Sequence, residues 1–163
     1  MLLKTDTFFN YKMFKIKRKQ LLQKDIKTIW NFISNPYNLE KITPKDMSFE
    51  IISKNLEKEI YPEMIIKYKV APFLKIKMKW VTKITEVQSE KKFIDKQIKG
   101  PYSFWEHEHI LEKHEKGTMM YDVIKYKPPL GLIGSLCNFL FIKNKLNGIF
   151  NFRENFLEEK FNK

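Results

Sequence analysis

From Phe14 the chain alternates, with Phe14 and Ile16 on one side and Lys15, Lys17 and Lys19 on the other, which is the period of a half-buried strand. The period then changes. Ile26, Ile29, Trp30 and Ile33 recur at i, i+3, i+4 and i+7, so an amphipathic helix is expected from about Asp25 to Asn35-Pro36. A second short helix carrying Tyr37, Leu39 and Ile42 is expected to stop at Thr43-Pro44. Alternation returns at Phe49 and Ile51. It continues through Met64, Ile66, Tyr68 and Val70, and after a turn at Ala71-Pro72 through Leu74, Ile76, Met78, Trp80, Thr82 and Ile84. Three further strands are read around Phe93 to Ile98, Ser103 to Lys113 and Thr118 to Lys127. Their connections are too short for crossover helices, so about seven strands in all form an antiparallel meander. A long helix is expected from Ser135 to about Lys160, with Phe139, Ile142, Leu146, Ile149, Phe150, Phe156 and Leu157 on its apolar side. Before it, Pro128 to Gly134 reads as a connection or a lid with flexible glycines.

The fold class is therefore α+β, a curved sheet against one long C-terminal helix. Residues 1–10 show no periodicity and are expected to form a loosely ordered extension, with a single domain over 11–163. The chain is 43% hydrophobic and 15% aromatic, enough for one core. Cys137 is the only cysteine, and no signal-peptide pattern precedes the first strand, which leads to the expectation of a cytoplasmic protein. No apolar stretch reaches the roughly 18 residues of a membrane span. The formal charge is +12, yet all basic residues but Arg18 and Arg153 are lysines dispersed along the chain. Without an Arg-rich block or a binding motif, specific nucleic-acid recognition is not expected. Loose contact with an anionic membrane surface suits the charge better.

The inner face is not purely apolar. If Trp105 and Leu111 point inward, alternation brings His107 and His109 with them; Phe93 brings Asp95 and Gln97, and Met120 brings Asp122. A three-residue loop at Gly100-Pro101-Tyr102 sets Gln97 opposite Trp105, Asp95 opposite His107 and Phe93 opposite His109. A two-residue loop at Glu115-Lys116 or Lys116-Gly117 leaves Asp122 opposite His109 or diagonal to it. Each histidine thus acquires a carboxylate neighbour. Such pairs serve either as satisfied core contacts or as pocket groups that orient a ligand. An Asp–His pair is also a candidate general base, which makes His107, His109, Asp95 and Asp122 the catalytic candidates. Two histidines on one strand, with Asp122 as a third group, are too few for a metal site to be expected, and no cofactor is called for. Met64, Tyr68, Met78, Trp80, Trp105, Met120 and Phe150 are the apolar cavity candidates, and Arg153 falls close to the helix stripe, in reach of an acidic group.

Several segments carry a family resemblance: Ser34-Asn35-Pro36 followed by Leu39-Glu40-Lys41-Ile42-Thr43-Pro44, then Gly100-Pro101 leading to Trp105-Glu106-His107-Glu108-His109, and Asp122 with Tyr126-Lys127-Pro128 before Pro129-Leu130-Gly131. Together with the element order, they make the chain resemble the START-like (SRPBCC) superfamily of helix-grip proteins, near its bacterial polyketide cyclase/dehydrase and lipid-transport groups. The resemblance implies a cavity between sheet and helix for a hydrophobic or amphipathic small molecule: a lipid, quinone, isoprenoid or polyketide-like compound. Binding or transport is the leading expectation. The alternative is a cyclase, dehydratase or isomerase that moves protons with Asp95–His107 or Asp122–His109, and a third reading is a protein-interaction module on the basic surface. No particular protein partner is indicated.

Overall fold

The computed structural model describes residues 12–72 and 76–163. The loosely ordered extension expected over residues 1–10 and the strand start expected at Leu74 lie outside the described residues. Seven strands form one sheet: β1 (Phe14–Leu22), β2 (Glu50–Ile51), β3 (Ile65–Val70), β4 (Met78–Gln88), β5 (Lys92–Lys99), β6 (Phe104–His114) and β7 (Gly117–Lys127). Their order in space is β1-β7-β6-β5-β4-β3-β2 and every pairing is antiparallel. Two irregularities in the β4–β5 ladder, at Val81/Thr82 and Ile84/Glu86, bend the sheet where it curves round the interior. The Glu115-Lys116 turn is tight, with His114 paired to Gly117. Gly117 has φ +136, and a Cβ there would collide with the Leu22 carbonyl, so the end of β1 closes directly over this turn.

Helix α1 (Ile26–Ile33) starts where the sequence supplies a cap. Asp25 Oδ1 accepts from the Thr28 backbone N–H at 2.9 Å and Oδ2 from the Thr28 hydroxyl at 2.6 Å. Its inner face buries Ile29, Trp30 and Phe32. The expected second helix is shorter than the sequence suggested: a single 3₁₀ turn at Pro36–Asn38, after which the chain runs on in turns.

The C-terminal helix begins earlier than expected. Segments α2 (Gly131–Cys137), a wide π turn (Asn138–Ile142) and α3 (Lys143–Phe161) follow one another without a break as one helix of 31 residues. Gly131 and Gly134 are therefore helical rather than a free lead-in. A Cβ on Gly134 would strike the Pro129 carbonyl, which makes close packing the reason for that glycine. The π turn also changes which side chains face the sheet. Asn138 turns inward and accepts the Tyr126 hydroxyl at 2.8 Å, while Phe139, expected on the inner stripe, is 78% exposed.

The core forms two clusters. One joins α1 to the C-terminal end of α3 through Trp30, Phe32, Phe93, Met120, Leu157 and Phe161. The other sits under the first half of α3 and contains Trp80, Tyr102, Trp105, Tyr126, Leu146 and Phe150. Ile76, expected on the inner row, is instead 59% exposed, because pairing of β4 begins only at Met78 opposite Val70. Among the described residues no helix is long and apolar enough to cross a membrane.

Candidate functional site

Strand alternation puts His107 and His109 on the concave face of β6. The β5–β6 ladder sets Asp95 opposite His107 and Phe93 opposite His109, and the β6–β7 ladder sets Asp122 opposite His109, as the expected loops imply. The side chains then cross these pairs diagonally. His107 Nε2 lies 2.7 Å from Asp122 Oδ1, and His109 Nε2 lies 3.3 Å from Asp95 Oδ2. The remaining approaches are longer or bent: His107 Nδ1 is 3.7 Å from Asp95 Oδ2, and His109 Nδ1 is 3.1 Å from Asp122 Oδ1 but out of line for a hydrogen bond. The imidazoles overlap with ring centroids 3.8 Å apart, and Phe93 stacks on the other face of His109 at 4.0 Å. Arg153 reaches down from α3 to Asp122 Oδ1 at 3.4 Å.

Burial decides the protonation of this group. It pushes the His107 imidazole down to about 4, a charge on His109 acts in the same direction, and Asp122 and Asp95 restore only part. For His109 burial also opposes the charged form, but the close carboxylates of Asp122 and Asp95 outweigh it and hold the ring above its ordinary value. Asp122 is likewise penalised by burial; both histidine contacts and the charges of His107 and Arg153 still hold its carboxyl well below the usual range.

The histidines open onto a cavity of about 140 Å³ between the sheet and α3. Of the residues singled out in the sequence, Tyr68, Trp80, Asp95, Trp105, His107, His109, Met120, Phe150 and Arg153 line it. Four do not. Asp122 is buried behind the imidazoles; Met64 packs into the α1 cluster; Met78 sits at the edge of the second cluster. Gln97 is drawn into the hairpin loop, where its amide donates to Tyr102 O at 2.6 Å and accepts from Tyr102 N–H at 3.3 Å. The β5–β6 ladder accordingly ends at Lys96–Glu106, and the expected Gln97–Trp105 pair does not form.

Sequence reasoning missed the opposite wall, where Pro36, Leu39, Ile42, Met47 and Phe49 close the cavity. The chain here runs in short 3₁₀ turns and irregular backbone, so neither the helix expected for Leu39 and Ile42 nor the alternation expected from Phe49 points to this wall. Aromatic rings run from Phe49 onto the sheet, through Tyr68 (4.8 Å between centroids), Trp80 (5.7 Å) and Trp105 (5.2 Å). Two polar groups interrupt this run. The Tyr68 hydroxyl is satisfied by Thr82 Oγ1 at 2.9 Å, whereas the Trp80 indole N–H is buried without a partner.

Neither a family model nor a curated protein of similar sequence matches the chain. Solved structures do. Protein NE0264 from Nitrosomonas europaea is similar with TM-score 0.62 and 15% identity over 90% of this chain and 95% of that one. The di-domain ARO/CYC StfQ from the steffimycin biosynthetic pathway is similar with TM-score 0.64 and 8% identity over 91% of this chain and 52% of that one. Ara h 8.0201 follows with TM-score 0.56 and 13% identity, covering 91% and 99%. The chain has a helix-grip fold, a curved seven-stranded antiparallel sheet against one long C-terminal helix. At these identities the likeness concerns the fold, and function has to be argued from the site.

Proposed function

We propose that the protein binds or carries a hydrophobic or amphipathic small molecule in the cavity under α3. The observation that carries this reading is the cavity itself: aromatic and aliphatic walls, with polar groups gathered at Asp95, His107 and His109. Its volume of about 140 Å³ sets a scale. An apolar cavity of about 150 Å³ accommodates benzene, so the space takes one ring or a short acyl stretch, and a larger isoprenoid, quinone or polyketide-like molecule would place only its head there. The Trp80 N–H, buried without a partner in this wall, is a donor that a turn of the indole would present to a carbonyl or phenol oxygen on that head. Similarity to the ARO/CYC StfQ supports the choice of ligand class.

Native mass spectrometry of freshly purified protein and titration with the apolar dye N-phenylnaphthylamine test the proposal. Saturable one-to-one binding that is lost in Ile149→Trp, at the cavity wall, is the expected result. An interior that carries no extractable molecule and takes up no dye ends the reading.

A catalytic variant of the same reading draws on one further observation, that His109 and Asp95 form a contact at the cavity surface, with His107 beside them and Asp122 behind. This is a general-base arrangement for cyclisation, dehydration or isomerisation. Unchanged turnover of an identified substrate by His109→Ala would remove it.

Delivery or uptake of such a ligand fits contact with an anionic membrane. Leu130, Leu132, Ile133, Leu136, Phe139 and Phe141 are each at least 61% exposed at the start of the C-terminal helix. Lys127 and Lys143 flank this apolar patch, and the whole chain carries +12. An apolar tip on a cationic body suits a negatively charged leaflet.

A further inference from the structure

We infer that Asp95, His107 and His109 form a binding site for a divalent first-row transition ion in the wall of the cavity. The three side chains present donor atoms that lie within 4.8 Å of one another. Asp95 Oδ2 stands 3.3 Å from His109 Nε2 and 3.7 Å from His107 Nδ1. Ligand atoms held at about 2.0–2.1 Å from a tetrahedral zinc ion are separated by about 3.3–3.4 Å. The Asp95 oxygen thus stands near the spacing a metal requires from each of the two ring nitrogens, and all three donors lie within 4.8 Å of one another.

The contacts around the two rings leave room for such an ion. All four ring nitrogens approach a carboxylate oxygen, at 2.7 and 3.1 Å on the Asp122 side and 3.3 and 3.7 Å on the Asp95 side. Two neutral imidazoles carry only two N–H groups. If His109 donates through Nε2 to Asp95, its Nδ1 is left as a buried nitrogen without a partner. If both rings are neutral and turn their N–H toward Asp122, two lone pairs and a carboxylate converge on the Asp95 side, where a positive charge is called for, from a proton on His109 or from a metal ion. Arg153 does not supply it, since its guanidinium sits at Asp122. Among the described residues, Asp95 pairs with no lysine or arginine.

A metal ion on the Asp95 side supplies that charge. It uses the lone pairs of His107 Nδ1 and His109 Nε2; His107 Nε2–H then donates to Asp122, while His109 Nδ1 faces Asp122 Oδ1 at 3.1 Å, out of line for a hydrogen bond. A carboxylate that orients metal-bound histidines from behind is the usual outer partner of such ligands. Arg153 in turn holds Asp122 in place. Because Asp95, His107 and His109 line the cavity, the remaining coordination positions open into it and are free for water or a ligand oxygen. The donor set of two imidazoles and one carboxylate suits Zn²⁺, Co²⁺ and Fe²⁺ and is a poor one for Mg²⁺ or Ca²⁺.

The experiment uses tag-free protein stripped with a chelator and titrated with Co²⁺ or Zn²⁺ alone, with Fe²⁺ added under anaerobic conditions and Mg²⁺ as a control. The expected result is one transition ion per chain and visible absorption bands of low-symmetry Co²⁺ that Zn²⁺ displaces. Affinity should fall at least a hundredfold in His109→Ala, and 10- to 100-fold in Asp122→Asn through the outer partner. His109→Ala removes a buried ring, so Asp95→Asn, which keeps the side-chain shape and lies at the cavity surface, provides the second ligand variant; circular dichroism confirms that each is folded. Folded wild-type protein that takes up no transition ion stoichiometrically, or uptake that persists undiminished in Asp95→Asn and His109→Ala, overturns the inference and leaves a proton on His109 as the occupant of the gap. Dye binding by the metal-free protein is measured in parallel, so failure here is distinct from failure of the ligand-binding reading.

Discussion

His107 and Asp122 make the shortest contact in the buried polar group, 2.7 Å between Nε2 and Oδ1, although His107 is paired across the ladder with Ile124 and Asp122 with His109. The bond is diagonal, within reach because i, j±2 neighbours on one face of a sheet lie about 7–8 Å apart at the backbone. Asp122 consequently serves three groups: both imidazoles and Arg153 of α3. It ties the sheet to the long helix beneath the cavity floor.

Asp122 is therefore the residue whose loss should be felt most in stability. Asp122→Ala leaves Arg153 and the His107 N–H without an acceptor in the interior, and breaking such a buried network costs about 3–5 kcal/mol. Urea denaturation should show a lower midpoint with the slope unchanged. A loss below about 1 kcal/mol would mean that water reaches this group freely.

The Trp80 indole predicts a chemical preference in the cavity. Acetophenone should bind about tenfold more tightly than ethylbenzene, because its carbonyl accepts the N–H that is otherwise unsatisfied. Calorimetric titration of Trp80→Phe should erase that difference. Equal affinities in the wild type would show that the N–H is directed away from the bound ring.

At the start of the C-terminal helix, Phe139→Asp combined with Phe141→Asp should lower partitioning onto vesicles containing anionic phosphatidylglycerol by tenfold or more. Both rings are more than 60% exposed, 78% and 66%, so thermal stability should stay within about 0.5 kcal/mol of wild type. Sedimentation with anionic and with purely zwitterionic vesicles separates the electrostatic from the apolar part. Partitioning that is unaffected by the double substitution would exclude this face as the contact.

The convex side carries a pH-sensitive contact. Glu106 on β6 lies 2.7 Å from Lys125 on β7 and 2.8 Å from Lys96 on β5, and hydrogen bonds from Lys125 and then Lys96 lower its pKa below the usual 4.5. A carboxylate depressed in the folded state contributes stability above its unfolded value, and that contribution is lost as pH falls through the folded value. Wild type should therefore lose stability relative to Glu106→Gln only on going below about pH 4.5. Parallel unfolding curves for the two proteins across pH 3–6 would show that the lysines contribute nothing.

Residue order alone specified a good deal of this protein. Period-2 alternation indicates which side chains of β5, β6 and β7 face inward, Gln97 excepted, and short loops narrow the register to Asp122 opposite or diagonal to His109, so residue order alone brings Asp95, Asp122, His107 and His109 together. Asp25, followed by the helical spacing of Ile26 to Ile33, fixed α1. What the pattern did not contain was decided in three dimensions. The π turn at Asn138–Ile142 shifted the phase of the helix, turning Asn138 in and Phe139 out. Residues 36–49, expected in part as a helix, run in 3₁₀ turns and irregular chain and became the far wall of the cavity. Which imidazole nitrogen meets which carboxylate depended on the rotamers available once sheet and helix had packed. Alternation assigns a face because it is a local property of extended backbone; cavities, helix phase and diagonal contacts arise from elements distant in the chain, and only their packing determines them.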